Sequence, residues 1–72
     1  MIEVKFKERL REQRKANHLL QRELAEKLNV PTYTICDWEK GRGEPSFQDL
    51  IKLAITLNTT IDYLVGKDEI EK

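Results

Sequence analysis

Between Gln21 and Gly41 the chain reads QRELAEKLNVPTYTICDWEKG, and its apolar residues form a seam that is interrupted once. Leu24, Ala25 and Leu28 recur at helical period on one face, Asn29 and Val30 interrupt, and Ile35 and Trp38 resume the pattern. Two short helices sharing one apolar face are predicted, from Gln21 to Leu28 and from Thr32 to Lys40. Asn29 sits at the reversal, and Asn is, after Gly, the residue that best tolerates the left-handed conformation a tight turn needs. Pro31 suits a first helical position. Ala25 is small enough for the second helix to cross closely at a steep angle, and Gly41 ends that helix.

The flanking segments are also helical. A first helix from about Glu3 to Ala16 places Phe6 and Leu10 on its buried side, and Asn17 and His18 end it. Gly41 to Pro45 is a breaker loop. Ser46 opens a fourth helix as a capping residue with Asp49 three positions on, and Phe47, Leu50, Leu53, Ala54 and Leu57 are expected to face inward. Thr60 caps a fifth helix carrying Ile61, Leu64 and Val65, with Asp62 near its positive end, and Gly66 stops it. No strand pattern or repeat appears. Residues 1–66 are read as one domain and 67–72 as a charged, frayed tail.

Seventy-two residues leave room for one small core, so the chain needs an efficient helical interior or a partner subunit. The single cysteine excludes an internal disulfide, and no apolar run is of membrane-spanning length or resembles a signal peptide. A cytoplasmic protein is expected. Thirteen basic and thirteen acidic residues cancel, but unevenly: residues 1–22 carry seven Lys or Arg against three Glu, for +4, while residues 23–44 and 45–72 each come to −2. Any positive face must draw on the first helix, although an ordinary solvated face is the more usual reading of a charge run such as Lys5, Lys7, Arg9, Arg11 and Lys15.

These residues resemble the phage-repressor family of helix-turn-helix domains, the Cro/CI-type or Xre-like domains. The resemblance spans about Phe6 to Gly66. It is carried by Arg14, by Gln21, Leu24 and Ala25, by Ile35, Trp38, Glu39 and Gly41, by Pro45 and Ser46, by Leu50, Leu53, Ala54 and Leu57, and by Asp62, Tyr63, Leu64 and Gly66. It implies an all-α fold, a compact five-helix lambda-repressor-like bundle whose second and third helices form the helix-turn-helix. The implied function is sequence-specific binding of double-stranded DNA by a transcriptional regulator, a small repressor that inserts the third helix into the major groove.

The resemblance assigns Thr32, Tyr33, Cys36 and Asp37 to base reading. Helical geometry agrees, because Ile35 and Trp38 point inward and leave those four opposite. Gln21 resembles the family's phosphate-contacting glutamine at a helix start, where free N–H groups also favour an anion. Arg22, Thr34, Lys40 and Arg42 join it as phosphate candidates. Arg14 and Glu39 resemble an architectural ion pair, whose loss costs roughly 3 to 5 kcal/mol if buried and below about 1 kcal/mol if exposed.

Leu20 and Pro31 stand where the family has hydroxyl caps, and losing such a cap costs about 1 kcal/mol. Asp37 repels phosphate yet accepts a hydrogen bond from cytosine N4. Tyr33 admits two readings, a contact to base or phosphate and a side chain packed over the second helix. Cys36 is either a thiol switch or a bystander. His18 has no second ligand at metal spacing.

A domain of this size covers one half-site, so the family implies a homodimer with recognition helices about 34 Å apart on a pseudo-palindrome. Ile51, Ile55, Ile61, Tyr63 and Val65 are the dimer-surface candidates, some of which the core can absorb. A protein-binding adaptor on the same fold, antirepressor or antitoxin-like, is the alternative, suggested by zero net charge and by Asp37. Paired carboxylates, a nucleophile with its base, a phosphate-cradling glycine loop and a metal cluster are all missing from the sequence, which argues against an enzyme, a cofactor or a metal. The absence of a small-molecule ligand domain suggests control by synthesis, degradation or a partner.

Overall fold

A computed structural model describes residues 4–70, for Ile70 the backbone alone. Six helices follow one another: α1 Phe6–Ala16, α2 Gln21–Leu28, α3 Thr32–Glu39, α4 Phe47–Thr56, α5 Ile61–Val65 and α6 Lys67–Ile70. The expected start of the first helix at Glu3 lies outside the described residues, and Val4 and Lys5 precede α1. One helical turn, α6, occupies the start of the segment whose charge predicts a frayed tail.

The turns explain where the helices stop. Asn29 takes φ 59° and ψ 45°, its N–H donates to the Glu26 carbonyl at 3.2 Å, and the Val30 N–H donates to Ala25 at 3.0 Å. This pair of bonds satisfies carbonyls that the helix end would otherwise leave open. The same closure follows α1, where His18 has φ 58°, and α4, where Asn58 has φ 54°. His18 is thus a turn residue. The Asn17 amide fastens two of these ends together, donating to Gln13 O at 2.8 Å and to Leu57 O at 3.2 Å.

Helix starts differ in quality. Ser46 Oγ accepts the Asp49 N–H at 3.1 Å and Thr60 Oγ1 accepts the Tyr63 N–H at 3.0 Å. Leu20 has no acceptor to offer; instead Glu23 Oε1 accepts the Leu20 N–H at 2.8 Å, the half of a capping box that does not need a hydroxyl. Pro31 is the residue before α3 rather than its first helical position, with ψ 149° and no side-chain cap.

Phe6, Leu10, Leu24, Ala25, Leu28, Ile35, Trp38, Leu53, Ala54, Leu57 and Leu64 form the core, and Leu19, Val30, Leu50 and Ile61 pack against it. Phe6 meets Trp38 edge to face, with ring centroids 6.4 Å apart. Phe47 corrects the sequence reading, being 79% exposed. It lies at the margin of the buried arc of α4 and on the helix's first turn, where the core does not reach it.

Gly66 closes the bundle. It has φ +78°, and a Cβ there would lie 2.9 Å from Cβ and Cγ of Lys5 and 3.3 Å from its backbone nitrogen. A Gly66→Ala variant is expected to lose about 1 to 2 kcal/mol from the left-handed backbone alone, with the overlap adding to it. Urea unfolding followed by circular dichroism checks this, and a loss below about 0.5 kcal/mol, the ordinary range for a surface change, contradicts it.

Candidate nucleic-acid interface

Arg14, from the last turn of α1, reaches across to the end of α3. Its Nε donates to Glu39 Oε2 at 2.6 Å, Nη2 to Glu39 Oε1 at 3.0 Å, and Nη1 to the Leu19 carbonyl at 2.8 Å. The pair is buried, with side-chain exposures of 11% and 5%. Hydrogen bonding to Glu39 raises the Arg14 pKa further above its ordinary value. Gln21, at the first position of α2, donates from Nε2 to Glu39 Oε1 at 3.2 Å. One carboxylate therefore ties α1, α2 and α3 at a single point and sets the angle at which α3 stands. With Nε2 engaged there, Gln21 keeps its carbonyl and its second amide hydrogen for another partner.

α3 turns Ile35 and Trp38 into the core and exposes the opposite side. Thr32 is exposed, Tyr33 is 69% exposed, and Thr34, Cys36 and Asp37 are half-buried. At that exposure the Tyr33 side chain is mostly open to solvent, which favours its reading as a contact residue. Lys40 and Arg42, just beyond α3, and Arg22 on α2 are exposed. The Arg42 N–H donates to the Asp37 carbonyl at 2.8 Å, which holds the chain leaving α3 against the helix end.

A cleft of about 220 Å³ lies between α1, the start of α2 and α3, and its wall includes Gln21, Cys36, Lys40 and Arg11. Arg11 belongs to the charge run that reads from sequence as a solvated face or as part of a positive face, and was not among the phosphate candidates. The signal for it was the charge surplus of the first 22 residues, but its neighbours on α3 are far away in sequence.

The dimer-surface candidates divide. Ile61 packs against the core. Tyr63 lies beneath Arg9, whose guanidinium carbon sits 4.3 Å from the ring centroid, and its hydroxyl donates to Glu12, which raises the phenol pKa. Arg9 Nη1 also donates to the Tyr63 carbonyl at 2.8 Å and to Asp68 Oδ1 at 2.6 Å, holding the Asp68 carboxyl below its usual range. Val65 is half-buried, and its carbonyl accepts the Lys5 N–H. Ile51 and Ile55 remain open, at 44% and 76% exposure, and with Phe47 they form a stripe at four-residue spacing along α4.

Among the described residues there is no cluster of three or more His, Cys, Asp or Glu arranged to hold a metal, and no helix is long and apolar enough to cross a membrane.

A helix-turn-helix family model matches residues 10–64. The transcriptional regulator ImmR of Bacillus subtilis is 39% identical over 64 residues, 89% of this chain and 50% of that protein. The phage CTXphi transcriptional repressor RstR of Vibrio cholerae is 36% identical over 64 residues, 89% of this chain and 57% of that protein. The chain thus spans about half the length of the curated relatives it matches. Among solved structures, the P22 c2 repressor in complex with a synthetic operator superposes with a TM-score of 0.80 at 32% identity, over 83% of this chain and 91% of that one. With helices and no strands among its described residues, and with the family model covering residues 10–64, the chain belongs to the Cro/CI-type, Xre-like family of helix-turn-helix transcription regulators.

Proposed function

We propose that this chain is a small cytoplasmic repressor that binds double-stranded DNA in a sequence-specific manner, with α3 in the major groove and two copies on a pseudo-palindromic operator. The observation that carries this reading is the disposition of α3: Ile35 and Trp38 hold its back to the core, while Thr32 and Tyr33 stand open on its front. In this reading Thr32, Tyr33, Cys36 and Asp37 meet base edges, Asp37 as an acceptor for cytosine N4. Gln21, Arg22, Thr34, Lys40 and Arg42 meet phosphates and set the register. The open stripe of Phe47, Ile51 and Ile55 supports α4 as the dimer surface, because contiguous exposed apolar residues mark contact sites.

Selection of bound duplexes from a random-sequence pool tests the reading. Two inverted half-sites about 10 base pairs apart, centre to centre, are expected. Log affinity should fall linearly with log salt as phosphate contacts release counterions. Asp37→Asn should change the preferred base at one position and leave the others. Binding that is flat in salt overturns the reading and leaves this face to a protein partner, and recovery of single half-sites only overturns the dimer.

A further inference from the structure

We infer that α1 carries a second phosphate-binding strip, Lys7, Arg11 and Lys15, which grips the DNA backbone beside the recognition helix. The inference rests on the DNA-binding reading and adds to it a contact surface outside the helix-turn-helix.

The three residues are exposed and follow one another at four-residue spacing, so they stand above one another on one face of the helix. At 1.5 Å per residue the strip is about 12 Å long, a length over which one DNA strand presents three to four phosphates at about 3.4 Å of axis each. At one end the Lys7 stem lies against Gly41, directly after α3, where a Cβ would come within 3.1 Å of Lys7 Cδ. Arg11, in the middle, shares the cleft lined by Gln21 and Lys40. The strip therefore adjoins the start of α2 and the C-terminal end of α3.

Charge bookkeeping separates this strip from the rest of the basic first helix. Arg9 is used by Asp68 and Tyr63, and Arg14 by Glu39. Among the described residues, no carboxylate lies within ion-pair distance of Lys7, Arg11 or Lys15. With Lys40 they line an open groove of about 570 Å³, together with Glu8 and Glu12. The other carboxylate on its wall, Glu39, is neutralised by Arg14, and Glu12 is turned to the Tyr63 hydroxyl. The groove keeps a net positive charge.

Lys7, Arg11 and Lys15 follow one another at i, i+4, and Glu8 and Glu12, three residues before Arg11 and Lys15, offset only part of the repulsion along the strip. Like charges so placed oppose helix stability. A polyanion lying along the strip relieves that repulsion, and a DNA strand leaving the α3 groove supplies one.

The test titrates the chain against its selected duplex over a range of KCl concentrations, reading fluorescence polarisation. Lys7→Gln, Arg11→Gln and Lys15→Gln are made singly and together, and Lys27→Gln, an exposed change in the last turn of α2, controls for net charge. Each strip variant should lower the slope of log affinity against log salt by about 0.9, and the triple variant by about 2.7. Base preference should not move, and Lys27→Gln should keep the parent slope. A triple variant that keeps the parent slope, on a parent that binds in a salt-dependent way, overturns the strip and leaves the DNA reading standing. A parent that shows no salt-dependent binding overturns both. Circular dichroism of the triple variant should match the parent, since the substitutions remove only exposed like charges.

Discussion

Replacing Glu39 with alanine is expected to lower the unfolding free energy by about 3 to 5 kcal/mol. The side chain is 5% exposed and accepts from Arg14 twice and from Gln21 once. Its removal leaves a buried guanidinium with the Leu19 carbonyl as its remaining hydrogen-bond partner. Domains of this kind are stable by only about 5 to 15 kcal/mol, and a small one sits at the low end, so much of the variant should be unfolded near 37 °C. Arg14→Ala should fall in the same range, because it strands the carboxylate instead. The double variant Arg14→Met with Glu39→Leu should recover much of the loss, since apolar replacement of a buried pair is often neutral or stabilising. Urea unfolding of the two single variants and the double checks the prediction. Single losses below about 1 kcal/mol would mean that the pair behaves as an exposed bridge.

Trp38→Ala should be comparably severe, at about 3 to 5 kcal/mol. Trp38 is buried, packs edge to face on Phe6, and lies one residue before Glu39. Truncation leaves a cavity beneath the C-terminal half of α3 that short helices cannot close without tilting. Trp38→Phe keeps an aromatic partner for Phe6 and should lose less. Thermal unfolding orders the series parent, Trp38→Phe, Trp38→Ala. If Trp38→Ala stays within about 0.5 kcal/mol of the parent, the ring is not holding α3 to the core.

Much of this architecture was legible in local sequence. The seam of Leu24, Ala25, Leu28, Ile35 and Trp38 is a matter of helical period, and all five residues are buried. The stop at Asn29 and the caps at Ser46 and Thr60 depend on bonds within a few residues. Pro31 stands at the cap position of α3, where the family resemblance puts it, and not at the first helical position that its fixed φ also suits. Phe47 was misread. Periodicity puts it at the edge of the buried face, but burial at a helix end depends on whether another element extends that far.

Local pattern by itself determined α1 to α5, their stops and, Phe47 apart, the side of each that turns inward, because backbone bonds and side-chain periodicity act over three to five residues. Tertiary structure alone decided which charges and apolar residues are consumed inside the bundle. Arg9 meets Tyr63 and Asp68 across 54 and 59 residues of chain, and Arg14 meets Glu39 across 25. Those contacts withdraw Tyr63 from the open surface and take two cations from the positive face of α1, leaving Lys7, Arg11 and Lys15 without an ion-pair partner among the described residues. Ion pairs and stacking depend on distance in space, and a period read along one helix carries no information about the side chains that another helix brings to it.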